Sequence, residues 1–170
     1  MAKSNSIQVV VVTPEKAVLD EFAALGFNGV RVFAGDLGWA NQSPDLARTA
    51  LPGSLREAAD RGLYVYVSAI TGSESGYDLE AHLRAIAAAC AAAANCLLEI
   101  ANEFFHPSQS ASGRDPASLL ALGQPGVSPG QPFALGAAYV DTLDATGRYS
   151  SDGGSFITAH LARGGESWSM

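Results

Sequence analysis

Residues 97–103 read LLEIANE, and this short stretch decides the fold. It follows an alanine-rich run typical of a helix that packs on a sheet, and its own apolar residues fit a buried β-strand. Because side chains alternate across a strand, Glu99 and Glu103 share one face, while Leu98 and Ile100 share the other. The aliphatic face suits a layer of helices. We therefore expect the two carboxylates to point to the opposite side of the sheet.

Similar β-rich runs alternate with helical runs along the chain, which is typical of βα units and a parallel sheet. The predicted strands cover residues 7–12, 29–34, 63–70, 97–103, 133–137 and 155–161. The predicted helices lie between them, ending at Gly26, running from about Gly53 to Asp60, covering 79–94 behind Asp78, and opening at Asp115-Pro116. The fold class is therefore α/β.

The connecting segments are unequal in length. Links that enter strands are short, whereas links that leave them, such as 35–52, 70–78 and 104–114, are long. Functional loops lie at the carboxyl ends of strands both in a (β/α)₈ barrel and in an open doubly wound sheet. The loops alone leave both folds open.

Strand parity predicts which polar side chains meet. Arg31, Tyr66, Ser68, Glu99 and His160 fall on the face opposite the aliphatic residues of their strands. Burial of a carboxylate without a partner would cost several kcal/mol. Arg31 is therefore the predicted counter-charge for Glu99, or for an acid that lies beyond this chain. By the same parity, Asn102 belongs to the other face of its strand.

Composition excludes several classes of partner and cofactor. The chain of 170 residues has a formal net charge of −7, so no basic surface is available for nucleic acid. No run approaches the ~20 apolar residues that cross a bilayer, so no membrane partner is expected. Cys90 and Cys96 are predicted to be small buried thiols, with no zinc-ligand spacing around them. We expect neither a metal nor another cofactor, and the compartment stays open.

Three strand motifs carry a resemblance to a known superfamily. LLEIANE at 97–103, GVRVF at 29–33 and FITAH at 156–160 resemble the fourth, second and sixth strands of the (β/α)₈ retaining glycoside hydrolases, which include cellulases and mannanases. The resemblance runs from about residue 7 to 163. It implies an incomplete TIM barrel of about six parallel strands with outer helices, formed by residues 1–170 as one partial domain without strands seven and eight.

The resemblance also implies roles for particular residues. Glu103 would be the catalytic acid/base, Asn102 would contact the sugar 2-hydroxyl, and Arg31 would support the nucleophile. His160 would face the site. In the superfamily the nucleophile is a Glu at the end of strand seven, so we expect the chain alone to be inactive.

Two more residues are candidate substrate contacts from their positions. His106 lies just past Glu103, and Trp39 falls on a loop where its ring could stack on a sugar face, although ordinary loop packing would explain it equally well. The preferred function is retaining hydrolysis of β-linked oligo- or polysaccharides in a full-length parent protein.

Two alternatives remain. One is a non-catalytic carbohydrate-binding or structural barrel relative. The other is a barrel lyase or isomerase, a class that usually has phosphate-binding glycines or metal ligands. Open edges of an incomplete barrel further predict self-association.

Overall fold

Five parallel strands form one sheet in the computed structural model, which describes residues 9–11, 15–34, 44–71, 78–102 and 115–136. In chain order the elements are β1 (Val9–Val11), α1 (Lys16–Ala24), β2 (Gly29–Phe33), α2 (Pro44–Ala59), β3 (Tyr64–Ile70), α3 (Leu79–Ala91), β4 (Cys96–Ala101), α4 (Pro116–Gly123), a 3₁₀ turn (Gln124–Gly126) and β5 (Phe133–Ala134). The alternation confirms the α/β prediction. The predicted sixth strand, 155–161, lies outside the described residues.

The order of the strands distinguishes the two folds that the loops had left open. Each strand pairs with the next one in the chain, so the order is β1-β2-β3-β4-β5 and every pair is parallel. An open doubly wound sheet reverses its strand order at a switch point, whereas a barrel adds strands in sequence. Within the described residues no reversal occurs, as expected of part of a barrel.

The core lies between the sheet and its helices. Alternate strand residues with aliphatic side chains are fully or almost fully buried there, among them Val30, Val32, Val65, Val67, Leu98 and Ile100. Gly123, at the end of α4, lies so close to Ile100 that a Cβ added to it would overlap the Ile100 side chain. The aliphatic face of β4 therefore points to the helices, as predicted from parity.

Two predicted helix starts are confirmed by their caps. The carboxylate of Asp78 accepts a hydrogen bond from the Ala81 N–H (3.0 Å), and that of Asp115 accepts one from the Ser118 N–H (2.9 Å). Each satisfies a backbone donor that has no partner within the helix.

The prediction for α2 was wrong at its start. The helix was predicted to begin at about Gly53, but it begins at Pro44 and Pro52 lies inside it. Proline removes one helical hydrogen bond, yet a stripe of buried residues continues on both sides of it: Ala47, Leu51, Leu55 and Ala58. Burial of this stripe against the sheet outweighs the local preference of proline.

The prediction that both cysteines are free thiols was also wrong. Cys90 and Cys96 are buried as predicted, but they form a disulfide, with their Cα atoms 5.1 Å apart. The tight turn between α3 and β4 brings the two residues together, a proximity that their spacing of six residues does not reveal.

Candidate active site

Arg31 of β2 is the centre of a polar cluster on the face opposite the helices. Its Nε donates to the Ser68 Oγ (3.1 Å), and its Nη2 donates to the Glu99 Oε2 and to the Asn102 Oδ1, the latter at 2.9 Å. Ser68 lies on β3 and Glu99 on β4, and the two are direct neighbours in the sheet. Three successive strands thus supply the cluster.

Ser68 and Glu99 close a ring of hydrogen bonds with Arg31. The Ser68 hydroxyl accepts from Arg31 Nε and donates to the same Glu99 oxygen that Arg31 Nη2 contacts. Neither Ser68 nor Glu99 has exposed surface, and the Arg31 side chain is only 11% exposed. A carboxylate this deeply buried needs a charged partner and further hydrogen bonds, and the ring supplies both. The predicted Arg31–Glu99 pairing is confirmed.

Two aromatic rings pack against the Arg31 guanidinium. Its Cζ lies 4.9 Å from the ring centroid of Phe33, two residues along the same strand, and 4.9 Å from that of Tyr66, its partner in β3. Such contacts attract a cation and limit the directions in which the guanidinium can move. The contact with Phe33 was not predicted, although the i, i+2 spacing places Phe33 on the same face of β2 as Arg31.

Asn102 reaches the cluster from a position that parity assigned to the other face. Strand β4 ends at Ala101, and Asn102 begins a turn while its N–H still donates to the Ile70 carbonyl (2.8 Å). Alternation holds only while the backbone stays extended, so the parity prediction for Asn102 was wrong. The turn allows the amide to face Arg31.

Of the six predicted site residues, the structure brings two together, Arg31 and Asn102. Glu103, His106, Trp39 and His160 lie outside the described residues. Glu103 nevertheless follows Asn102 directly in the sequence, and Asn102 lies at the carboxyl end of β4, where active sites of parallel barrels are found. In the described part of the chain, no group of three or more His, Cys, Asp or Glu side chains could hold a metal ion, and no helix is long and apolar enough to span a membrane.

The amino ends of the strands carry a separate groove of about 480 Å³. It lies between the end of α2 and the turn after α3, and its lining includes Leu55, Tyr64 and Asn95. None of the Arg31 cluster lines it. The candidate site and the groove therefore occupy opposite ends of the strands.

Comparison with solved structures shows where this architecture recurs. A family 5, subfamily 18 glycoside hydrolase from Streptomyces cattleya, in complex with GlcNAc, aligns with a TM-score of 0.60 and 26% identity over 85% of this chain. A variant of it, in complex with Manβ1-4GlcNAc, aligns with a TM-score of 0.61. An exo-β-1,4-mannosidase from Opitutaceae bacterium strain TAV5 shares the fold, with a TM-score of 0.55 and 19% identity over 78% of this chain.

The chain spans about 45% of the length of the Streptomyces enzyme and 31% of that of the mannosidase. No protein-family model and no curated protein sequence matches it.

The strand order and these neighbours together indicate a partial (β/α)₈ barrel similar to those of the glycoside hydrolase superfamily. This confirms the resemblance to glycoside hydrolase barrels, while the motif at 156–160 lies outside the described residues. Within the superfamily, the similarity is to glycoside hydrolase family 5, and the solved relatives include members bound to GlcNAc and to a mannose-containing disaccharide.

Proposed function

We propose that this chain supplies the catalytic acid/base, but not the nucleophile, of a retaining glycoside hydrolase site for β-linked mannosides. The observation that supports it most is the Arg31 bridge, in which one guanidinium nitrogen bonds both Glu99 and Asn102 at the carboxyl end of β4. This bridge fixes the residue directly before Glu103. The substrate class comes from the relatives, one of which holds Manβ1-4GlcNAc.

The chemistry assigns one task to each residue. Glu103 protonates the oxygen of the glycosidic bond as that bond breaks, and afterwards takes a proton from the attacking water. Asn102 contacts the 2-hydroxyl of the sugar, a hydrogen bond that strengthens in the transition state. In our proposal His160, His106 and Trp39 line the cleft, the last by stacking on the sugar ring.

Glu99 is not the nucleophile of this reaction. A retaining glycosidase needs a second carboxylate about 5–5.5 Å from the acid, free to attack the anomeric carbon. Glu99 is fully buried and its Oε2 already accepts hydrogen bonds from Arg31 and Ser68. The superfamily pattern assigns the nucleophile to a Glu at the end of strand seven. Without that Glu, we expect residues 1–170 alone not to hydrolyse substrate.

An added nucleophile makes the acid/base role testable in this chain. Azide can attack the anomeric carbon of an aryl β-mannoside, forming the C–N bond as the aryl oxygen leaves with a proton from Glu103. In the presence of azide, we expect Glu103→Gln to slow cleavage of Manβ1-4GlcNAc and of phenyl β-mannoside by at least about 10²-fold relative to the unchanged chain. Cleavage of dinitrophenyl β-mannoside, whose leaving group needs no proton, should be spared.

The matched control is Glu80→Gln, which changes a carboxylate on the exposed side of α3. Equal loss on both classes of substrate would contradict the acid/base role. If the unchanged chain cleaves none of these mannosides in the presence of azide, the enzyme proposal fails. Calorimetric titration with Manβ1-4GlcNAc would then decide for or against the carbohydrate-binding alternative.

A second part of the proposal concerns assembly. The described strands form only part of a barrel, with β1 at one edge of the sheet, and strand edges of this kind can pair with another chain. We propose that the 170-residue chain self-associates through them.

A further inference from the structure

We propose that Glu99 and Ser68 are positioning residues that act through Arg31 to fix the orientation of the Asn102 amide. This inference rests on the proposed function for its role in sugar recognition, but the orientation itself can be tested without it. Neither residue touches the sugar in this proposal. Their contribution is to hold the guanidinium in one place.

The first step is the immobilisation of Arg31. Its Nε bonds Ser68 and its Nη2 bonds Glu99, so the rigid, planar guanidinium is held at two points. Ser68 and Glu99 also bond each other, and they are adjacent residues of paired strands. Because the anchors belong to the sheet, they resist displacement more than a loop residue would.

The second step is the choice between two orientations of an amide. An asparagine side chain can rotate by half a turn and exchange its oxygen and nitrogen. Arginine can only donate hydrogen bonds, so the 2.9 Å contact requires the Asn102 Oδ1 to face Arg31. Nδ2 is then turned away from the guanidinium. The reverse orientation would bring two donors together and lose this bond.

The third step connects the immobilised Arg31 with the orientation of the Asn102 amide. If the guanidinium could swing away from Asn102, both amide orientations would be accessible, and only one presents a donor to an oxygen of the substrate. With Ser68 and Glu99 in place, the donor is set before the sugar arrives. Preorganisation of this kind removes an ordering cost from binding.

Nuclear magnetic resonance on the chain tests the positioning directly. In the unchanged protein we expect slow water exchange of the Arg31 Nε–H and one well-resolved pair of Asn102 Nδ2 protons. Ser68→Ala and Glu99→Gln should speed the Nε–H exchange by at least about tenfold, since each removes or weakens one anchoring bond. Both should also shift or broaden the Asn102 pair.

Two further variants make this result specific. Ser68→Thr keeps the hydroxyl and should restore the signals of the unchanged protein, while Glu80→Gln should leave them unaltered. Ser68→Ala is the milder substitution and keeps the test decisive if Glu99→Gln does not fold. Unaltered Arg31 and Asn102 signals in folded Ser68→Ala would overturn the proposal.

Sugar affinity provides the second readout. Ser68→Ala should weaken binding of methyl β-mannoside by about tenfold, the effect of one misplaced hydrogen bond, and leave binding of its 2-deoxy analogue unaltered. Equal weakening for both sugars would mean a general structural effect and would overturn the recognition role. If the unchanged chain binds neither sugar, the proposed function fails, and the resonance experiment still decides the positioning of Asn102.

Discussion

The Glu99 carboxyl group has no exposed surface, so the free-energy cost of burying it depends on the residues that bond it. Removal of one member of a buried ion pair leaves the other charge uncompensated, which typically costs about 3–5 kcal/mol. We expect Glu99→Ala to lower the free energy of unfolding by about that amount, because Arg31 would keep its charge at 11% exposure. Urea denaturation followed by circular dichroism measures it.

Glu80 provides the matched control for this prediction. It pairs with Arg84 one helical turn away, and its side chain is 52% exposed. Exposed pairs at this spacing contribute little, so Glu80→Ala should change stability by no more than about 0.5 kcal/mol. Similar small losses for both variants would show that the Arg31–Glu99 pair is not effectively desolvated.

Asp115 makes part of the stability depend on pH. Hydrogen bonds from the Ser118 hydroxyl and backbone N–H hold the pKa of this N-cap below its ordinary value. A carboxyl whose pKa is lower in the folded state stabilises the fold above its unfolded pKa, about 3.9, and loses that contribution as pH falls through the folded pKa. We therefore expect stability to decrease from about pH 4 downward.

Asparagine at position 115 isolates this contribution. It also caps helices well but does not titrate in this range. Chemical unfolding at a series of pH values should show a shallower acid decline for Asp115→Asn than for the unchanged chain. Parallel declines in the two proteins would mean that Asp115 does not contribute.

The position of a side chain could be predicted from the sequence where the backbone is an extended strand. Arg31, Ser68 and Glu99 lie on extended strands, so alternation placed them on one face, and the cost of burying charge paired two of them. Asn102 lies where the extended backbone ends, and alternation failed there. The hydrogen-bonding ring itself depends on strand register, which a single sequence does not fix.

At the scale of elements, the packing of α4 on β4 depends on a glycine. A Cβ at Gly123 would lie 2.3 Å from the Cδ1 of Ile100, which is fully buried and has little room to move. We expect Gly123→Ala to destabilise the protein by about 1–3 kcal/mol through overpacking. Thermal and urea unfolding measure the loss, and Ile100→Val, which lacks Cδ1, should recover part of it in the double variant.

Gly53 in α2 provides the control that shows whether a loss of stability in Gly123→Ala comes from the contact with Ile100 or from placing alanine in a helix. It has no heavy atom within 4 Å of an added Cβ, so Gly53→Ala should stabilise by about 0.5–1 kcal/mol through helix propensity alone. If Gly53→Ala and Gly123→Ala were both more stable than the unchanged chain, that result would contradict the close approach of α4 to β4.

Elements were predictable where the local signal agrees with the packing. Asp78 and Asp115 mark helix starts by their own side-chain chemistry, and both predictions were confirmed. The start of helix α2 was predicted too late, at about Gly53, whereas the buried stripe through Leu51 and Leu55 continues across Pro52 and decides its real extent. Local propensity yields to tertiary burial in such cases.

At the scale of the whole molecule, the two ends of the sheet carry different sets of hydrogen bonds. The carboxyl ends carry the Arg31 cluster, while the amino ends are joined by structural bonds. The Asn95 amide donates to the carbonyls of Leu55 (3.1 Å) and Leu63 (3.0 Å), and Arg61 bonds Asp20 (2.6 Å) across α1 and the turn after α2. The proposed site thus lies at the carboxyl ends of the strands, where barrels generally have their active sites.

Self-association is the prediction that belongs to this scale. β1 lies at one edge of the described sheet, and a second copy can add a strand to an edge of this kind. We expect size-exclusion chromatography with light scattering to give a mass above 17.5 kDa that rises with protein concentration. Leu25→Lys is the control: Leu25 is 65% exposed at the end of α1 and belongs to no strand, so its replacement should leave association through strand edges unaltered. A monomer at every concentration would contradict edge pairing, and loss of association in Leu25→Lys would assign it to apolar surface instead.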